Sequence, residues 1–290
     1  MSLTRTVSLA LALTVPAFAQ GPKKHLLVYR FEPGAVMHYE SVQNMTMTMV
    51  MGEQDIETKM TMAITTSTKV KSVKDGNGVL EQEITRVRAK MDNPMMSIDY
   101  DSDDEDSDPG MMQGLDEIAG GKTTMTLSEH GQVTKFEPSE DIADDLESSG
   151  VNLEQLMSQS IARLPEKPVA IGESWTTKQD LPLGQMGDTE SEITYKLLAV
   201  DGNFIMVEQT MKIDASELEL PGGMEVTEIK AKGQSTIDLR TGLPTEMTMT
   251  MEMAMTGQMD MSMQVKQTIK LVPAPKKKPA EAKEEHGEGK

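Results

Sequence analysis

Between Glu246 and Val265 a methionine falls on alternate residues: Met247, Met249, Met251, Met253 and Met255, then Met259, Met261 and Met263 beyond Thr256-Gly257-Gln258. A spacing of two is the repeat of a pleated strand and not of a helix, so one side of such a strand is methionine and the other is threonine and glutamate. An earlier stretch, Met45-Thr-Met-Thr-Met-Val-Met51, repeats the pattern, and Met60 and Met62 continue it after a short polar break. Met47, Met49, Met60, Met62, Met247, Met249, Met251, Met253, Met261 and Met263 are thereby the candidate residues of any site on the methionine face. The Thr256-Gly257-Gln258 break reads as a three-residue hairpin loop. That loop opposes Met255 to Met259 and Met253 to Met261, which keeps every methionine on one face.

The rest of the chain reads as more sheet. A short strand at Leu26–Phe31 and a long one from about Val36 to Met51 flank the turn signal Glu32-Pro33-Gly34. Ile56–Val73 and Val79–Met91 flank Asp75-Gly76-Asn77-Gly78, whose residues tolerate the positive φ of a tight hairpin. Met111 to Ala119 suits a helical turn or two, and Thr123–Leu127 with Val133–Phe136 forms a hairpin around His130-Gly131. Ser139 suits the N-cap of a short helix to Glu147. Asn152 suits the cap of a second, in which Leu153, Leu156, Met157, Ile161 and Leu164 form one apolar stripe that Pro165 ends. The fold expected is mainly β: a long antiparallel meandering sheet or half-barrel with two or three helices packed on its methionine face.

Arg5, the apolar run Val7 to Val15 and Ala17-Phe18-Ala19 have the form of a secretory signal over residues 1–19. Cleavage near Ala19 then delivers a periplasmic or secreted protein. Residues 20–272 read as a single β-rich domain with a weak internal duplication, about 26–137 and 167–272, with the helices of 138–165 between them. The duplication rests on Asp75-Gly-Asn77 and Asp201-Gly-Asn203, each followed by an apolar strand containing Glu-Gln. Residues 273–290, rich in Pro, Lys and Glu, have nothing to bury and are expected to be disordered. The chain has no cysteine, so no disulfide supports it and burial of apolar surface must.

With 47 acidic and 28 basic residues the formal charge is −19, which disfavours nucleic acid and anionic membranes as partners. No integral membrane helix is expected, no cofactor is implied, and no protein partner can be named. Catalytic patterns fail on inspection. Gly172-Glu-Ser-Trp-Thr176 lacks the final glycine of a nucleophile elbow, and Gly120-Gly-Lys-Thr123 lacks the leading glycine of a phosphate loop. An enzyme is therefore not expected. The acid run Asp99 to Asp108 opens with the spacing of a calcium loop, but Asp104 and Gly110 stand where that loop requires glycine and glutamate. A solvated surface loop fits it better.

Four readings of the methionines remain, one of them a sacrificial oxidant trap in which exposed thioethers take up oxygen reversibly. Alternating thioethers are soft ligands for Cu(I), although the four histidines, His25, His38, His130 and His286, lie outside the methionine runs. The same residues can be the inward side of a closed structural domain. They can also pave a wall that adapts to hydrophobic ligands such as acyl chains, because the unbranched thioether repacks easily.

At Leu164-Pro-Glu-Lys-Pro-Val-Ala-Ile-Gly-Glu-Ser-Trp-Thr176, with Tyr29-Arg-Phe-Glu-Pro-Gly34 and the Met-Thr-Met strands, the chain resembles a family of exported bacterial proteins of unknown function. The resemblance spans about His25 to Leu271 and implies no catalytic or binding residue. At the level of fold alone, meandering strands under helices resemble the LolA and LppX type of lipoprotein carrier, whose half-barrels hold acyl chains.

Overall fold

The computed structural model describes residues 22–51, 54–110, 115–139, 161–182, 188–213, 225–257 and 260–274. In chain order the elements are β1 (Lys24–His25), β2 (Val36–Met51), β3 (Gln54–Lys74), β4 (Asn77–Asn93), β5 (Met96–Asp101), α1 (Leu115–Ile118), β6 (Lys122–Leu127), β7 (Val133–Pro138), β8 (Val169–Ala170), β9 (Ser174–Pro182), β10 (Asp188–Asp201), β11 (Phe204–Ile213), β12 (Glu225–Asp238), β13 (Leu243–Thr256) and β14 (Asp260–Leu271). Twelve strands form one antiparallel sheet, ordered β7-β6-β4-β3-β2-β14-β13-β12-β11-β10-β9, with β5 also on β4. Most neighbours are consecutive in sequence. The exception that joins the two halves is β14 beside β2, which sets Met263 against Met47 and Met261 against Met49.

The sheet curls, and the hydrogen bonds of Leu26–Phe31 show how far. Tyr29 N–H donates to Glu129 in the β6–β7 turn, while Arg30 N–H donates to Leu239 in the β12–β13 turn. Six strand spacings separate β6 from β12, roughly 29 Å if the sheet were flat. Adjacent residues bond to both only because the two ends come together. This segment was expected to be a strand, and instead its backbone bonds go to loops. Its alternation survives: Leu27, Tyr29 and Phe31 are buried at the narrow end, and Leu26 faces solvent.

A second segment closes the same end. Leu164 N–H donates to His130 O at 2.9 Å, and Trp175 Nε1 on the edge strand β9 donates to Arg163 O at 2.7 Å. Residues 161–164 thus strap the β6–β7 turn to β9. The sequence assigned them to the end of a helix, but they run without helical hydrogen bonding and bury Ile161, Ala162 and Leu164 in the core. Leu164 N–H, which a helix would direct four residues back along its own chain, goes to His130 O instead, and the Ala162 and Arg163 carbonyls accept from Tyr29 Oη and Trp175 Nε1. The rest of the two expected helices, 140–160, lies outside the described residues. Among those residues the only helix is the single turn α1. It packs with Leu115 and Ile118, and with Ala119 just after it, against Ile84, Val87, Ala89 and Tyr100, on the same side of the sheet as the methionines.

The two Asp-Gly-Asn segments turn differently. Asp75 and Gly76 both take positive φ, the two-residue turn whose twist matches the flanking strands, whereas in the second copy the loop is Gly202-Asn203 and Gly202 alone is positive.

Candidate functional site

Register carries the methionine pattern across the sheet. Met253 opposes Met263, which opposes Met47; one step along, Met255 opposes Met261, which opposes Met49. Farther down, Met251 lies opposite Val265, then Met45, Met60 and Met91 follow on successive strands. The hairpin differs from the expectation by two residues, since Met255 meets Met261 instead of Met259. A slip of two preserves the face, whereas a slip of one would reverse it. The methionine phase is therefore kept while the connection is longer than the tightest loop allows.

All ten candidate methionines occupy this one face. Met247 and Met253 are buried, and Met47, Met49, Met60, Met62, Met249, Met251, Met261 and Met263 are half-buried. Along the strands the face changes character. Toward the strapped end it is sealed by Val70, Leu80, Met125, Leu197 and Val207, all 2 % exposed or less. Toward the other end Met253 and Met255 are still buried, but their neighbours Met47, Met49, Met261 and Met263 are only partly covered.

Between these regions is a cavity of about 180 Å³, lined by Met211 and Ile213 of β11, Ile229 and Ala231 of β12, Met249, Met251 and Met253 of β13, Val265 and Gln267 of β14, and Gln43 of β2. Its polar lining is Gln43 and Gln267, which face each other across β2 and β14. A smaller gap beside it reaches Ile193, Tyr195 and Gln209. Such an enclosure, apolar with two amide groups, matches the ordinary make-up of a small-molecule site. It offers no nucleophile and no paired carboxylates.

At the edge strand β9 the Trp175 ring stacks on Tyr195, with centroids 5.4 Å apart, and forms part of an open cleft of about 600 Å³ with His130, Arg163, Lys167 and Lys178. Burial holds the Arg163 guanidinium below its usual range, and the Tyr195 and Tyr29 phenols oppose that effect. Arg163 lies outside the apolar stripe of Leu153 to Leu164, and its place in the strap gives it this setting. Trp175 is only half-buried, packed against the main core.

The acid run has a structural task. Asp101 grips Arg86 through both carboxylate oxygens, Asp103 lies 3.3 Å from the same guanidinium, and Arg86 holds the Asp101 carboxyl below the usual range. Ser102 Oγ and Ser107 Oγ accept backbone N–H bonds from Val87 and Asp101, which folds the loop onto β4. Among the described residues no three His, Asp or Glu side chains are placed to hold a metal ion. No helix among them is long and apolar enough to cross a membrane.

A solved structure of lipovitellin, described for its lipid–protein interactions, is similar in fold, with a TM-score of 0.52 and 13% identity over 87% of this chain. The chain spans 27% of the lipovitellin chain. An outer membrane channel from Pseudomonas putida F1 (6% identity, 84% of this chain and 97% of that one) and the translocator domain of an autotransporter from Neisseria meningitidis (7%, 82% and 88%) give TM-scores of 0.25 and 0.22, too low to bear on the fold. No curated protein sequence matches the chain. Residues 147–271 match the model of a family of unknown function, DUF6263.

Proposed function

We propose that the chain is a noncatalytic, exported protein, periplasmic or secreted, that binds a hydrophobic ligand, an acyl chain foremost, against its methionine face. The observation that carries this reading is the partial cover of eight candidate methionines on one sheet face, which also holds an apolar cavity lined by Met249, Met251 and Met253, in a sheet whose other end is sealed. Leaving that much thioether surface half-covered forgoes burial energy of about 25 cal/mol per Å², which a ligand would recover. Methionine suits the task because its three rotatable bonds fit chains of differing shape. The likeness to a lipid-associated fold supports the reading at the level of architecture.

Native mass spectrometry of the protein, purified without detergent from an exporting host, tests it. Heterogeneous adducts of lipid mass are expected. A bare polypeptide mass that also fails to take up added fatty acid would overturn the reading.

One observation favours a second reading, Cu(I) binding. Met47, Met263 and Met253, and beside them Met49, Met261 and Met255, form two adjacent rows across three strands. Neighbouring strands lie about 4.8 Å apart and successive inward residues about 7 Å apart, so three thioethers can converge on one soft ion. Competition against a weak Cu(I) chelator decides it: no transfer of copper to the protein sinks this alternative.

A further inference from the structure

The ladder between β11 and β12 stops at Met211 opposite Ala231, although both strands continue. β11 stays paired to β10 as far as Ile213, and β12 stays paired to β13 down to Glu225. Two more steps of the same register would set Lys212 against Lys230 on the outer face and Ile213 against Ile229 on the inner one. Like charges directly opposite destabilise a strand pair. Lys232, which opposes Thr210, adds a third cation diagonal to Lys212.

The sheet is open where the pairing ends. A cavity of about 330 Å³ occupies the opening, lined by Lys212, Lys230, Lys232 and Glu252 together with Met211, Ile229 and Ala231. The last three also line the methionine cavity of about 180 Å³. The two spaces therefore share a wall, one side lysine and the other methionine. Lys230 is committed to Glu228 and opposes Glu252, and Lys212 opposes Glu192 on β10, but neither Lys212 nor Lys232 is in an ion pair within 4.0 Å among the described residues. In a chain of charge −19, lysines without a close ion pair at the point where the β11–β12 ladder stops mark a place suited to an anion.

We propose that the gap between β11 and β12 is a lateral portal that admits a single-chain amphiphile, with its carboxylate or phosphate head held by Lys212 and Lys232 and its tail passed between Ile213 and Ile229 to the methionines. This rests on the acyl-chain reading above and adds the class of head group and the route of entry. Exposed ion pairs are individually weak, but two lysines acting on one head group amount to about tenfold in affinity at low salt.

The test uses the mature protein, the double variant Lys212→Gln/Lys232→Gln, and three probes: laurate, dodecanol as its uncharged counterpart, and inorganic phosphate. Laurate should bind about tenfold more tightly than dodecanol, and that preference should shrink as salt is raised. The double variant should bring laurate down to the affinity of dodecanol and leave dodecanol unchanged. Equal affinity for both probes, in native protein and variant alike, overturns the portal and leaves the methionine groove standing. Binding of neither amphiphile overturns the groove and the portal together. Lysine-dependent binding of inorganic phosphate that laurate does not displace makes this a free-anion site and also overturns the portal.

Discussion

Phe31 is packed closely against two glycines. A Cβ on Gly78 would stand 2.4 Å from the ring, and one on Gly242 would stand 2.7 Å from it, so the phenyl group fills a cup that two glycines leave open. Gly78→Ala should destabilise the protein by about 1–3 kcal/mol through overpacking. Adding Phe31→Leu, which removes the offending ring, should cost less than the sum of the two single changes, and urea titrations of the four proteins measure the coupling. The phenols at the same end make stability depend on pH. Tyr29, Tyr39 and Tyr195 are all pushed above the ordinary value of 10.0, chiefly by burial, because their anions would lose their hydration. A raised folded-state value means that above about pH 10 the unfolded chain releases protons that the folded chain keeps. Stability is therefore full below that pH and falls as pH rises past it. Tyr195→Phe should flatten the alkaline fall between about pH 9 and about pH 11, and an unchanged slope would show that this phenol ionises freely in the folded state.

At the scale of elements the strap 161–164 decides whether the curled sheet stays closed at its narrow end. Gly131, with φ +82°, lets the β6–β7 turn approach it; a Cβ there would lie 2.5 Å from Ala162 O. Gly131→Ala adds left-handed strain to a clash with backbone, and a loss of about 2–4 kcal/mol is expected in thermal or denaturant unfolding. Gly120→Ala, with a similar φ of +87° but open space around it, separates the two terms and should cost only the strain. The strands themselves were readable, because their signal is local: Val36–Met51 and the methionine alternation of β13 stand where the pattern put them. What the sequence could not show is held by distant partners. Leu27, Tyr29 and Phe31 alternate as a strand does, yet the N–H groups of Tyr29, Arg30 and Glu32 bond to turns more than 90 residues away. The pairing of β14 with β2 follows from closure of the whole sheet, and no local residue announces it. The ten candidate methionines share a face because a period of two survives any even slip, so that part of the site was legible. The opening between β11 and β12 was not, since it depends on which lysines the fold sets opposite each other.

For the molecule as a whole, the contrast between a sealed end and a half-covered end makes methionine oxidation a map of accessibility. Met95 is 83% exposed, the eight half-buried candidates line the sheet face, and Met125 and Met247 are 2% and 3% exposed. Oxidation by dilute peroxide follows access to sulfur, and each sulfoxide turns an apolar side chain polar. If the face is an open groove, peptide mass spectrometry over time should find Met95 oxidised first, then Met47, Met49, Met60, Met62, Met249, Met251, Met261 and Met263, with Met125 and Met247 last. A bound acyl chain should slow the middle group and leave Met95 unaffected, because only the groove changes its access to water. A closed core gives another order: the middle group would oxidise no faster than Met125, at the rate set by opening of the whole fold. Protection by added laurate that extends equally to Met125 would reflect stabilisation of the fold by mass action, whereas protection confined to the groove locates the ligand there.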